Sequence, residues 1–241
     1  MDNPISISNG FGYRVFDDRN ETMRFFQDFP IDGVELMIFD LNSLENFTLD
    51  RDVLAYLQGL PFVTIHAPFY EYKRDTKTKK ILQHLYNIYL LVNAKNITFH
   101  PDTISSFNVL ADSGFKVSIE NNDRQKVFGF QRPDEIRKLL DQFDFLHFTF
   151  DFAHAFQINP DLVDGFLELR ERISQIHLSY CFDELSEHGL LHNQQSRELK
   201  KKLSLLKNTL SVQIPIILEC AALNRAQMNL LGDEIKFVKE V

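Results

Sequence analysis

The sequence predicts an α/β fold, a single (β/α)8 barrel spanning residues 1–241, on three observations. Eight short β-prone segments alternate with helix-prone ones. The length of 241 residues is close to the roughly 250 typical of that architecture. No Pro/Gly/Ser linker, low-complexity tract or shift in composition divides the chain, so one domain is the simplest account. A doubly wound open sheet needs the same alternation and stands as the structural alternative.

The elements follow in order. PISIS (4–8) is the first strand and DDRNETMRFFQDF (17–29) the first helix. GVELMIF (33–39) precedes the helical stretch SLENFTLDRDVLAYLQGL (43–60). FVTIH (62–66) leads to KTKKILQHLYNIYLLVNAK (77–95), and NITFH (96–100) to the connection 102–115, which carries a helix only weakly. KVSIE (116–120) is followed by RPDEIRKLLDQF (132–143), and HFTFD (147–151) by NPDLVDGFLELRERI (159–173). SQIHL (174–178), QSRELKKKLSLLKNTL (195–210), PIILE (215–219) and RAQMNLLGDEIKFVKE (225–240) complete the chain. Most strands are rich in Val, Ile, Phe or Thr. Several read as apolar on both faces, as expected of parallel strands covered by helices.

Bulk composition narrows the function. A hydrophobic content of 44% supports a sizeable core. With 26 basic and 34 acidic side chains the formal charge is −8, so no global basic field for nucleic acid exists, although a local patch is compatible with it. Only 9 glycines occur, with neither GxGxxG nor GxxxxGK[ST], which argues against a nucleotide cofactor. Cys181 and Cys220 do not make a disulfide scaffold and read as buried or half-buried thiols. MDNPISISNGFGY has no signal-peptide pattern, and no apolar run approaches about 18 residues. A soluble cytoplasmic protein without a membrane partner is expected.

The chemistry sits at the strand ends, where barrels of this kind carry their active sites. The second strand holds Glu35. The third ends in His66 (IHAP), the fourth in His100 (FHPD) and the fifth in Glu120 (SIENN). The sixth ends in Asp151, with His154 three residues on. The seventh holds His177, with His188 in the loop beyond, and the eighth ends in Glu219 (ILEC). A lone strand-end His or Glu is more often a hydrogen-bonded cap than a ligand. The set reads differently, because converging carboxylates repel one another unless a cation lies among them. His with Asp or Glu suits Zn²⁺, Mn²⁺ or Fe²⁺, while Mg²⁺ suits the carboxylates better than the imidazoles.

This order of HAP, FHP, IEN, D-x-x-H, a strand-seven His and a strand-eight Glu resembles the xylose-isomerase-like TIM-barrel superfamily. That group includes sugar and sugar-phosphate isomerases and epimerases, inosose dehydratase relatives and endonuclease IV-type AP endonucleases. In the isomerase and epimerase branch, the resemblance implies one divalent metal on Glu120, Asp151, His177 and Glu219. Glu120 and Glu219 would then be the proton-transfer pair, and His154 would contact a sugar or sugar phosphate. Apart from the resemblance, Glu35 on the second strand is a candidate to orient a ligand. In the endonuclease branch, it implies His66 and His100 with Glu120 on one zinc. Glu120 would bridge to a second zinc on Asp151, His177 and Glu219, and His154 and His188 would help hold a third. The partner would then be nucleic acid.

The chain departs from both patterns. Asp183 stands where epimerases often carry a substrate-binding Arg. Ser186, beside Glu187, stands where endonucleases carry an Asp ligand. Tyr180 replaces an acid in HLSY, and strand four reads HPD rather than HPG. A degenerate, non-catalytic barrel is therefore a third reading. Phe69 and Tyr70, ahead of KRDTKTKK (73–80), could grip nucleic acid, but such a charge run is more simply the solvated start of a helix. Tyr13, Phe69, Tyr70 and Tyr180 are candidates for the pocket wall. On sequence alone the isomerase or epimerase reading leads.

Overall fold

The structure, a computed structural model, describes residues 3–126, 129–181, 188–194 and 196–240. The chain runs β1 (Ile5–Ser8), α1 (Arg19–Phe26), β2 (Gly33–Met37), α2 (Leu41–Glu45), α3 (Arg51–Gly59), β3 (Phe62–His66), α4 (Thr76–Leu91) and β4 (Ile97–Phe99). It continues with β5 (Val117–Glu120), α5 (Pro133–Gln142), β6 (Leu146–Asp151), α6 (Phe152–Ile158), α7 (Leu162–Leu167) and β7 (Ile173–Leu178). β8 (Tyr180–Cys181), β9 (His188–Gly189), α8 (Arg197–Thr209), β10 (Ile216–Leu218), α9 (Arg225–Met228) and α10 (Leu231–Glu240) follow. β1 to β7 and β10 close into a parallel barrel in the order β1-β10-β7-β6-β5-β4-β3-β2. Closure excludes the open sheet. The short β8 and β9 pair antiparallel outside it.

The helices differ from the sequence reading where local capping intervenes. The stretch 43–60 divides because Asp40 caps α2 through Ser43 N at 2.7 Å, and a second helix starts after Asp50. The 102–115 connection holds only two 3-10 turns, Pro101–Thr103 and Phe107–Val109. The predicted helix 159–173 shortens to α7 and a 3-10 turn, Arg170–Arg172. An unforeseen helix, α6, starts directly at the end of β6, with the Asp151 carboxylate accepting from His154 N at 2.7 Å. KRDTKTKK leads into α4, with Asp75 as its cap. Among the described residues, no helix is long and apolar enough to cross a membrane.

The barrel strands are buried but for Phe62, His147 and Ser174 near their starts, yet they alternate in chemistry rather than being apolar on both faces. Ile5, Leu36, Ile65, Phe99, Ile119, Phe150, Ile176 and Leu218 are fully or almost fully buried in the continuous apolar core. Phe148 and Phe150 of β6 meet Phe166 of α7 at ring distances of 5.5 and 5.3 Å, which accounts for part of the high Phe content. The opposite face points into the barrel and is polar. Thr98 bonds Thr149 at 2.9 Å, and Asn96 bonds Gln175 at 3.2 Å, both between strands that are not neighbours. Such pairs can only meet across the barrel interior. The polar groups are tolerated there because they satisfy one another.

Gly33 is fixed by close approach. It pairs with Ser6 and with Phe62, and a Cβ there would overlap the Phe62 carbonyl oxygen and Ser6 Oγ. A Cβ at Gly59, in the last turn of α3, meets nothing within 4 Å. Gly33→Ala is expected to destabilise the fold by about 3 kcal/mol through overpacking. Gly59→Ala is expected to be neutral or to stabilise by about 0.5–1 kcal/mol. Urea unfolding of the two variants checks the contrast, and a Gly33→Ala protein as stable as the parent would contradict this packing.

Candidate metal centre

Parallel register brings the strand ends to one place. Asp151 of β6 pairs with His177 of β7, and His177 with Ile217 of β10, two residues before Glu219. Eight of the nine strand-end candidates, all but Glu35, fall into three groups, within each of which the ligand atoms lie within 4.8 Å of one another. His66, His100 and Glu120 form the first. Glu120, Asp151, His177 and Glu219 form the central one. Asp151, His154 and His188 form the third. Glu120 is shared by the first two groups and Asp151 by the last two. Six of the eight residues are buried, while Glu219 and His188 lie partly open. Asp183, Ser186 and Glu187 lie outside the described residues. Tyr180 belongs to β8.

Each of four histidines has one ring nitrogen held by a neighbour outside the central group, although His154 Nδ1 also lies 3.4 Å from Glu120 Oε1. His66 Nδ1 faces Ala67 O at 3.2 Å, and His154 Nδ1 faces Asn121 O at 2.9 Å. His188 Nδ1 meets Ser179 Oγ at 2.7 Å, and His177 Nε2 meets Glu35 Oε2 at 3.1 Å. With those nitrogens as donors, or satisfied by a hydroxyl, the other nitrogen of each ring is left free to ligate. Asn121, which the reading of SIENN passed over, locks the two central strands together. Its side chain donates to Asp151 O at 2.9 Å and accepts from Asp151 N at 2.8 Å. Only its place directly after Glu120 hinted at this.

The electrostatics describe a site short of positive charge. Burial opposes ionisation of Glu120, but the His177 and His100 rings hold its carboxyl well below the usual range. Burial also opposes charge on His177, yet Glu219, Glu35 and Glu120 hold that ring well above the usual imidazole value. Asp151 goes the other way, because burial, reinforced by Glu120 and Glu219, pushes its carboxyl well above the usual range. Burial pushes His100 down to about 4. Against burial, Glu120 raises His66, and Asp151 with Glu120 raises His154, so among the acids it is Asp151 whose charged form is disfavoured and would gain from an added cation. Asp151 Oδ2 and His100 Nδ1 are buried without a hydrogen-bond partner, and His177 Nδ1 and Glu219 Oε2 meet each other at 3.0 Å as an ion pair rather than in a formed hydrogen bond. Three of these four atoms belong to the central group. A His and two carboxylates turned towards one another in this way fit a divalent cation such as Zn²⁺ or Mn²⁺.

A cavity of about 460 Å³ opens onto this centre, lined by Tyr13, Arg14, Met37, Phe39, His188 and Glu219 among others. Tyr13 and Phe39 pack ring to ring at 5.3 Å while staying partly exposed. Phe69 is 47% exposed and stacks on His100 at 4.6 Å. Lys126 lies over Phe69 and is held by Asp102 at 3.0 Å, so the departure from HPG supplies a cation near the opening. Tyr70 packs instead against Tyr72. A larger hollow of about 650 Å³ lies along the start of α4, between Lys73, Arg74 and Asp112, and includes none of the strand-end ligands. Cys220 is a buried thiol pushed well above its usual range by burial, and the Cys181 side chain lies outside the described residues.

No protein-family model matches the chain, and no curated protein matches it. Solved structures do. The D-allulose 3-epimerase of a Methylomonas species is similar at a TM-score of 0.74 and 13% identity, over 99% of this chain and 97% of that one. Endonuclease IV of Thermus thermophilus is similar at 0.66 and 14%, over 99% and 100%. The probable 3-DHS dehydratase AsbF of Bacillus anthracis is similar at 0.72 and 12%, over 98% of each chain. The likenesses span epimerase, endonuclease and dehydratase, and what they have in common with this chain is the fold.

Asp151→Asn separates metal binding from folding. Asn keeps the cap on α6 and removes a carboxyl whose raised pKa makes its ionised form destabilising, a penalty that grows as pH rises through that pKa. Freed of metal by chelator, Asp151→Asn is expected to melt no lower than the parent at pH 8. With Zn²⁺ at about a hundred times its Kd, the parent should gain about 2.7 kcal/mol and the variant much less. Equal metal-induced shifts in the two proteins, read by thermal melting, would remove Asp151 from the ligand set.

Proposed function

The barrel has the xylose-isomerase-like fold, and on it we propose a divalent-metal-dependent phosphodiesterase of the endonuclease IV type. One observation carries this reading: the two histidine groups that flank the central set and share Glu120 and Asp151 with it. A single-metal isomerase needs Glu120, Asp151, His177 and Glu219, with His154 for substrate. It gives no ligand role to His66, His100 or His188, although residues like His66 and His100 also occur in the isomerase branch as loop and substrate neighbours. A multinuclear site uses all eight residues, which supports reversing the order in which the sequence alone ranks the two activities.

Bound divalent cations would supply Lewis acidity to a phosphate and an activated water. The protein's own groups do the rest. His66, His100 and Glu120 hold one side of the centre, and Asp151, His154 and His188 the other. Asn121 and Glu35 keep ligands in orientation. Lys126 offers a positive charge to a phosphate near the opening. The exposed rings of Tyr13, Phe39 and Phe69 offer flat apolar surface to a base or a sugar. The net charge of −8 makes such a contact local rather than a broad basic face.

A second reading has its own support. The central four-ligand set is complete without the flanking histidines, and Glu120 and Glu219 stand on β5 and just past β10, well apart around the barrel. They could serve as base and acid on the two sides of a sugar carbon. Purified protein loaded with Zn²⁺, Mn²⁺ or Mg²⁺ is to be assayed on a duplex with one abasic site and on a panel of ketoses and their phosphates. Strand incision with two or three metals per chain is expected. His100→Ala should lower incision by about 100-fold or more and remove one metal equivalent. Sugar epimerisation with one metal per chain, insensitive to His100→Ala, would establish the second reading instead.

A further inference from the structure

His177, the histidine ligand common to both readings, turns its Nε2 down into the barrel onto a carboxylate that is not itself a ligand. His66 Nδ1 and His188 Nδ1 rest on Ala67 O and Ser179 Oγ, while His154 Nδ1 meets Asn121 O and lies 3.4 Å from Glu120 Oε1. Glu35 is fully buried in β2, across the barrel from β7, beneath the strand ends rather than among them. Three groups converge on its Oε2. His177 Nε2 lies at 3.1 Å, Gln175 Nε2 at 2.9 Å and Thr64 Oγ1 at 3.3 Å. Gln175 is fixed in turn by Asn96 at 3.2 Å and by Thr98 at 3.0 Å. The other oxygen, Oε1, is buried with no hydrogen bond. A glutamate kept for structure would use both oxygens. Leaving one bare in the interior is costly and calls for a reason.

We infer that Glu35 is a positioning residue for the centre: its carboxylate, clamped by Gln175 and Thr64, orients His177 and strengthens that ring as a ligand to the central cation. A hydrogen bond from the outer N–H of a ligating imidazole to a carboxylate fixes the tautomer and raises the basicity of the ligating nitrogen. Here Nε2 lies 3.1 Å from Glu35 Oε2 and 3.0 Å from the Gln175 amide nitrogen, and Nδ1 turns towards Glu219, at 3.0 Å, and Glu120, at 3.5 Å; because the Gln175 amide can only donate and already donates to Glu35, the Nε2 proton goes to the carboxylate. The polar interior is thus the scaffold that carries Glu35. The inference rests on the metal reading but not on the choice between phosphodiesterase and isomerase, because the central group serves both.

The test uses the full chain, stripped with chelator and titrated with Co²⁺ alone. Competition with a chelator gives the dissociation constant of the tightest site, and the visible spectrum reports its ligand field. Glu35→Gln keeps the volume and a hydrogen-bond acceptor and removes only the charge. Its Co²⁺ affinity is expected to fall by roughly 10- to 100-fold, with a shifted visible band. Should Glu35→Gln fail to fold, Gln175→Leu leaves the carboxylate but removes one clamp, and a several-fold weakening is expected. Unchanged affinity and spectrum in whichever variant folds would overturn the role of Glu35 and leave the metal centre standing. A parent protein that binds no Co²⁺ would overturn the metal reading and this inference together.

Discussion

Four carboxylates, Glu35, Glu120, Asp151 and Glu219, stand at or just beneath one end of the barrel, three of them fully buried or nearly so. Their mutual repulsion is the constraint on which the rest of the structure depends. In a medium this poor in water a pair of like charges a few ångströms apart costs several kcal/mol even at an effective dielectric of about 20. Without added cations the site compensates internally. Asp151 holds its proton, and His177 holds one as well. A cation would take the place of both protons, so metal binding and proton release are two views of one equilibrium here.

The barrel makes the convergence affordable by what lies beneath it. Alternation along parallel strands sends Ile, Leu and Phe outward to the helices and Ser, Thr, Asn and Gln inward. The interior pairs Thr98–Thr149 and Asn96–Gln175 form a hydrogen-bonded floor. An apolar floor would leave Glu35 without donors, and His177 would then have a free choice of tautomer. The polar interior and the ligand shell are therefore a single device spanning β2, β4, β6 and β7.

Much of this was legible in the sequence, and the boundary is instructive. The eight strands and their polar ends could be read because most of the strands close on a His, Asp or Glu after a β-prone run. The partners of those ends could not. Nothing in GVELMIF says that Glu35 crosses the barrel to His177, since that contact spans 142 residues. Asp151 and His154 were read as ligands, but the same three-residue spacing is that of a helix cap, and α6 is too short to announce itself by periodicity. The apolar-on-both-faces reading failed because Thr and Ser sit within β-prone runs alongside Val and Ile. Their presence in FVTIH and KVSIE marks an inward face that only closure of the barrel reveals.

The fold leaves the choice of chemistry to the periphery of the site. The central group, Glu120, Asp151, His177 and Glu219, is the same under phosphodiester hydrolysis and under proton transfer at a sugar carbon. What differs is its neighbours. His100 is stacked under Phe69, pushed down to about 4 by burial, and so stands as a neutral imidazole with an unpartnered Nδ1. That is the state of a ligand rather than of a cationic substrate clamp, which would need its proton at neutral pH. The same holds for His188, whose ring is pushed down chiefly by burial and whose Nδ1 is already satisfied by Ser179. Two neutral imidazoles on opposite flanks of a carboxylate-rich centre add donors without adding charge. Each flank thus sets one ring held down by burial, His100 or His188, beside one that the acids hold up against burial, His66 or His154.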